Sequence, residues 1–104
     1  MITLYINTTD RFESVIRLSV DKKSFEKKLK SEKPMSEKVL VLIKSVCDEA
    51  KINSQDIDRV EVSTGPGSYT GIRVGIAIAN ALGVFAHAKI NGQNFGKLAE
   101  ATYS

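Results

Sequence analysis

Between Thr70 and Gly83 the chain carries one charge, Arg73, and one other strongly polar side chain, Asn80. At about 100° per residue, those two stand only about 20° apart on a helical wheel. The rest of the circumference is apolar or small. Val74, Ile78 and Leu82 form one ridge, and Gly71, Gly75, Ala79 and Gly83 form another, flanked by Ile72 and Ile76. A helix that is apolar nearly all round has to be covered on more than one side, and a sheet covers only one. The sequence offers a single other long helix, over 36–50. Whatever that helix leaves uncovered needs a second chain, or it stands as an exposed apolar patch. The interior glycines sharpen the point. Each costs roughly 1 kcal/mol against alanine inside a helix, so each needs a packing reason. That reason is close approach either to the chain's own sheet or to a partner helix, and the glycines alone weigh equally for both.

The rest of the chain reads as a small α/β unit. Ile2, Leu4 and Ile6 alternate with Thr3, Tyr5 and Asn7, which predicts a strand. Thr8-Thr9-Asp10 predicts a turn, and 12–20, with Ile16, Leu18 and Val20 on one face, a second strand antiparallel to the first. Residues 23–29 predict a third, peripheral strand among lysines. Ser36 is a suitable N-cap. After it Val39, Leu42, Ile43, Val46, Cys47 and Ala50 recur at helical spacing, while Val41 falls on the wrong side for a core residue. A capped loop over 52–58 leads to a strand over 59–64, parallel to a neighbour because a helix precedes it. The glycine-rich loop and the apolar helix follow, then a short strand over 84–88 and a C-terminal helix over 94–103. The expected architecture is βββαβαβ: a mixed five-stranded sheet, an antiparallel meander continued by parallel strands, in one domain over 1–104.

Composition excludes several classes. With 104 residues, 42% hydrophobic and 26% charged, the chain has material for a core and is not intrinsically disordered. No uninterrupted apolar run reaches the roughly 18 residues that span a bilayer, so no membrane contact is expected. No secretory leader is visible, and the location expected is cytoplasmic. The lone Cys47 has no internal disulfide partner, and no Cys/His cluster has zinc-ligand spacing. Cys47 on its apolar stripe is read as a packed thiol, and His87, the one histidine, as structural or exposed. No catalytic set, metal or cofactor is therefore expected. The net charge of +3 lies entirely in 21–38, where seven lysines face four acids. That segment reads mainly as an edge protected by lysine, with contact to phosphate or an acidic partner as the alternative.

The loop Gly65, Pro66, Gly67, Ser68, Tyr69, Thr70 joins a strand to a helix start, which is a geometry suited to anions. It lacks the Gly-Lys-Ser/Thr of a Walker A loop, and its glycine spacing is one residue too long for the dinucleotide fingerprint. A tight turn for close strand–helix packing is the competing reading. Arg73 near the helix start opposes the helix dipole and calls for a contact partner.

The run GPGSYTGIRVG over 65–75 resembles the GPGSFTGLRIG motif of the TsaB (YeaZ) family, and the resemblance extends over roughly residues 1–90. It implies an RNase H-like, actin-like ATPase (ASKHA) fold that normally has two lobes, of which this chain would be the N-terminal one. It implies a non-catalytic partner of TsaD, the Kae1/Gcp-type enzyme. With a TsaE-like ATPase, such partners support threonylcarbamoyl transfer to the adenosine beside the tRNA anticodon, and tRNA is then met only indirectly. The resemblance also places a dimerisation surface on the two helices. Together with the apolar circumference, it makes Val41, Gly71, Ile72, Arg73, Gly75, Ile76 and Ala79 the expected partner interface. Where the family often has Asp-Thr after the first strand, this chain has Asn7-Thr8, which removes a carboxylate that ATPases of this fold use near Mg²⁺. The competing expectations are a nucleotide-binding half-site and a self-associating homodimeric module.

Overall fold

The computed structural model describes residues 1–10, 12–30 and 36–91. Its elements are β1 (Ile2–Asn7), β2 (Glu13–Val20), β3 (Lys23–Lys30), α1 (Ser36–Ala50), β4 (Arg59–Val62), α2 (Tyr69–Ala86) and β5 (Lys89–Ile90), with a 3-10 turn at Ser54–Asp56 before β4. The strands form one sheet in the order β3-β2-β1-β4-β5. The β1–β2 and β2–β3 pairs are antiparallel, and β1–β4 and β4–β5 are parallel. This is the expected mixed sheet and the expected α/β class.

The register explains why the alternation in the sequence is so regular. Leu4 lies opposite Leu18 on one side and Val60 on the other, and Val60 opposite Ile90. Ile6 is flanked in the same way by Ile16 and Val62. These two rows are buried with Val39, Ile43 and Val46 of α1 and with Ile78 and Ala79 of α2 in one cluster. Both helices therefore cover the same face of the sheet. Burying each such side chain stabilises by about 1.5–3 kcal/mol, and a one-residue slip would turn both rows outward. The opposite face is polar. There the Arg17 guanidinium lies 5.6 Å from the centre of the Tyr5 ring and 3.1 Å from the Glu26 carboxylate.

Two expectations need correction at the end of α2. The helix does not stop at Gly83, and no strand forms over 84–88. Gly83 is buried, and a Cβ there would collide with Ile90, so it is a packing glycine and not a terminal one. The left-handed residue that ends the helix is His87, at φ 54°, whose amide donates to the carbonyls of Gly83 and Val84. The Ala88 amide also donates to the Gly83 carbonyl, at 2.9 Å. The final strand is consequently only Lys89–Ile90. The extension gives α2 18 residues and makes it, by length and composition, long and apolar enough to cross a membrane. Within this fold its inner face is packed on the sheet.

Beyond β5 the carboxamide of Asn91 takes the place of a strand backbone. Its Oδ1 accepts from the Val62 amide at 2.7 Å, and its Nδ2 donates to the Val62 carbonyl at 3.0 Å. The helix expected over 94–103, and the Ser36 side chain expected to cap α1, lie outside the described residues.

Candidate functional site

Two features converge on α2: a clasp at its N-terminus and an apolar face along its outer side. The clasp is made by the motif loop and the turn after β1. The Ser68 amide donates to the Thr9 carbonyl at 2.7 Å. Ser68 also caps the helix, its hydroxyl accepting from the Gly71 amide at 3.3 Å. Thr8 is fully buried, and its hydroxyl donates to the Gly71 carbonyl. Gly67 has φ +156°, and a side chain there would collide with Thr9; only glycine combines that backbone with that approach. Two of the amides that would cradle an anion at this helix start are thus engaged within the chain. The reading of the loop as a tight packing turn fits this geometry better than a phosphate cradle.

The same contacts correct the glycine ridge. A Cβ at Gly71 would run into the Thr8 carbonyl, and one at Gly75 into the Thr8 hydroxyl. Thr8 therefore sits as a knob between the two glycines, and the ridge faces the chain's own sheet. Ile72 and Ala79 are likewise fully buried. Of the seven residues expected to meet a partner, Gly71, Ile72, Gly75 and Ala79 are internal. Val41, Arg73 and Ile76 reach the surface, Val41 with 66% exposure. Arg73 has the partner that its unfavourable position called for, donating to the Tyr69 hydroxyl one turn earlier at 2.8 Å.

The outer face is more apolar than the sequence indicated. Seven large hydrophobic side chains stand exposed among the described residues, and five of them, Leu40, Val41, Tyr69, Val84 and Phe85, lie on the two helices. Leu40 and Phe85 face a common groove of about 450 Å³ between α1 and α2, with Ile43, Cys47 and Leu82 along it. Val84 and Phe85 fall outside the expected interface because Gly83 reads as a helix end in the sequence. The apolar pattern itself continues through Val84, Phe85 and Ala86 and is the signal for the longer helix.

The residues with chemical potential are held in structural roles. Cys47 is 4% exposed, and burial pushes its thiol up from the ordinary range, with the carboxylates of Asp48 and Asp56 acting in the same direction. A thiol kept protonated is a poor nucleophile. Asn7 closes the turn after β1, its Oδ1 accepting from the Thr9 amide at 3.0 Å and from the Thr9 hydroxyl at 2.7 Å. His87 is an exposed helix cap. Among the described residues no group of three or more His, Cys, Asp and Glu side chains is placed to hold a metal ion.

The family described as "TsaD: tRNA N6-adenosine threonylcarbamoyltransferase" matches residues 29–92. A curated relative, the tRNA threonylcarbamoyladenosine biosynthesis protein TsaB of Buchnera aphidicola subsp. Schizaphis graminum, is 44% identical over 55 residues. That match covers 53% of this chain and 26% of the relative. TsaB of Bacillus subtilis is 34% identical over 47 residues, covering 45% of this chain and 20% of that protein. Among solved structures, YeaZ from Pseudomonas aeruginosa superposes with a TM-score of 0.80 at 18% identity, over 86% of this chain and 41% of that one. A second solved structure, described as an uncharacterized protein with similarity to peptidase YeaZ from Pseudomonas aeruginosa, gives the same figures. The matches thus span about a fifth to a quarter of the curated relatives' length and about two-fifths of the solved chains.

Proposed function

Because this chain belongs to the family described as TsaD: tRNA N6-adenosine threonylcarbamoyltransferase, on its TsaB (YeaZ) side, we propose that it is a non-catalytic docking lobe in threonylcarbamoyladenosine biosynthesis. Its partner is a TsaD-type protein, which carries the threonylcarbamoyl transfer to the adenosine beside the tRNA anticodon. A TsaE-like ATPase joins the same assembly, and tRNA is met through the partner. The lobe works in the cytoplasm and needs no cofactor of its own.

The observation that carries this reading is the concentration of exposed apolar side chains on the outer faces of α1 and α2. Removing an apolar surface from water is worth about 25 cal/mol per Å², so such a face gains most from a partner of matching shape. The clasp supplies the rigidity that docking needs. Thr8 and the motif loop fix α2 against β1 and β4, and so fix where Val84 and Phe85 stand. The nucleotide half-site is less well supported, because Asn7 and two of the N-terminal amides are already committed to internal hydrogen bonds.

The test is co-expression with a tagged TsaD-type protein. The chain is expected to co-purify with it, and Val41→Glu combined with Val84→Glu is expected to remove it from the eluate. Co-purification that survives both charges would move the interface off this face. A self-pairing through the same face is the second outcome to examine: addition of the TsaD-type protein should then convert homodimer to heterocomplex.

A further inference from the structure

Pairing sorts part of the lysine excess of the sequence. Lys27 binds the Glu49 carboxylate at 3.0 Å, and Lys28 approaches that of Glu13 at 3.8 Å. Lys22 and Lys23 have no ion-pair partner among the described residues. They stand with Lys51, which is equally unpaired, around one open groove of about 690 Å³ between the β2–β3 hairpin and the end of α1. All three lysines are exposed. The two acids on the groove do not offset them. The Glu49 carboxylate is held by Lys27, and that of Asp21 by the N-terminal ammonium at 3.1 Å. The floor is apolar, with half-buried Val20, Phe25 and Ala50 lining it.

Edge protection alone accounts for lysines along β3. It does not account for an unpaired lysine contributed by the end of α1 to the same groove, nor for the apolar floor beneath the three charges. We propose that this groove is a docking site for an acidic protein segment that carries an apolar anchor residue. The carboxylates of the segment meet Lys22, Lys23 and Lys51, and its anchor covers Phe25. A nucleic-acid backbone would satisfy the lysines but leave the floor unused. The groove involves none of the exposed hydrophobic side chains of the α1–α2 face, so the two surfaces stand or fall separately.

The experiment is fluorescence anisotropy with a labelled glutamate-rich peptide bearing a central phenylalanine. The comparators are the same peptide with glycine for phenylalanine, an unmodified tRNA transcript and anionic phosphatidylserine vesicles. Exposed charge pairs of this kind are weak individually. Replacing all three lysines (Lys22→Gln, Lys23→Gln, Lys51→Gln) is therefore expected to lower peptide affinity about tenfold. The glycine peptide should bind more weakly than the parent, and binding should fade as salt shortens the Debye length to about 3 Å near 1 M. Thermal melts of the glutamine variant should match the parent, since the replaced side chains are exposed. Absence of peptide binding, binding unchanged in the glutamine variant, or tighter binding to the transcript or the vesicles would each overturn the proposal.

Discussion

Gly75→Ala gives a prediction whose sign is set by one contact. Helix propensity alone favours alanine over glycine by about 0.8–1.0 kcal/mol in a helix interior, and on an outward-facing helix position that gain would appear in full. At Gly75 the new Cβ collides with the Thr8 hydroxyl, which is buried and donates to the Gly71 carbonyl. Relief requires moving Thr8 and stretching that bond, or displacing α2 from the sheet. Overpacking a tight site costs about 1–3 kcal/mol, and a buried hydroxyl left without its acceptor costs about 1–3 kcal/mol more. Set against the propensity gain, the net expectation is a destabilisation of roughly 1–5 kcal/mol. In a Thr8→Ala background the obstacle is gone, and the same Gly75→Ala change should stabilise. The coupling between the two sites, the difference between those two effects, should then be about 2 kcal/mol or more, at the upper end of what residues in contact show. Urea titration of the four proteins, followed by far-UV circular dichroism, measures this directly. If Gly75→Ala raises the midpoint of the unaltered chain, Thr8 does not occupy the notch and the inward placement of the glycine ridge is wrong.

Three further outcomes follow from named contacts. Asn91→Ala removes both hydrogen bonds to Val62 and should cost about 1–3 kcal/mol in the same titration, with faster hydrogen exchange at the Val62 amide. The Cys47 thiol is raised in the folded state, so its contribution to stability is complete below the unfolded thiol value of about 8.5 and is lost as pH rises through the higher folded value. A plot of unfolding free energy against pH should therefore fall above that point, and Cys47→Ala should flatten the fall. Val41→Glu and Val84→Glu, at exposed sites, should each leave the melting midpoint within the equivalent of about 0.5 kcal/mol, which separates any loss of association from loss of fold.

The sheet was legible because each strand alternates cleanly. Leu4 and Ile6 against Leu18 and Ile16 fix both face and register, and the helix between β3 and β4 implies the crossover that makes β4 parallel to β1. The stripe of α1 was legible for the same reason, with Val39, Ile43, Val46 and Cys47 all buried. The glycines were harder to read. A glycine notch for a partner helix and a glycine notch for Thr8 look identical in a sequence, because the knob is supplied by a residue more than sixty positions away. Gly83 resembled a helix terminus, yet its bare side is filled by Ile90 across the turn while His87 takes the left-handed position. Those two misreadings have one consequence. They put the buried Gly71, Ile72, Gly75 and Ala79 among the expected interface residues and leave out Val84 and Phe85, which the longer helix exposes. Val41, singled out as misplaced on α1, is exposed as that position implies.

The claim that the outer faces of α1 and α2 meet a protein partner is tested most directly by sedimentation velocity of the chain mixed with a TsaD-type protein. The chain and partner should sediment together at a defined stoichiometry. Val41→Glu combined with Val84→Glu should return them to separate boundaries without unfolding either. Two independent boundaries for the unaltered proteins, or a complex indifferent to both charges, would contradict it.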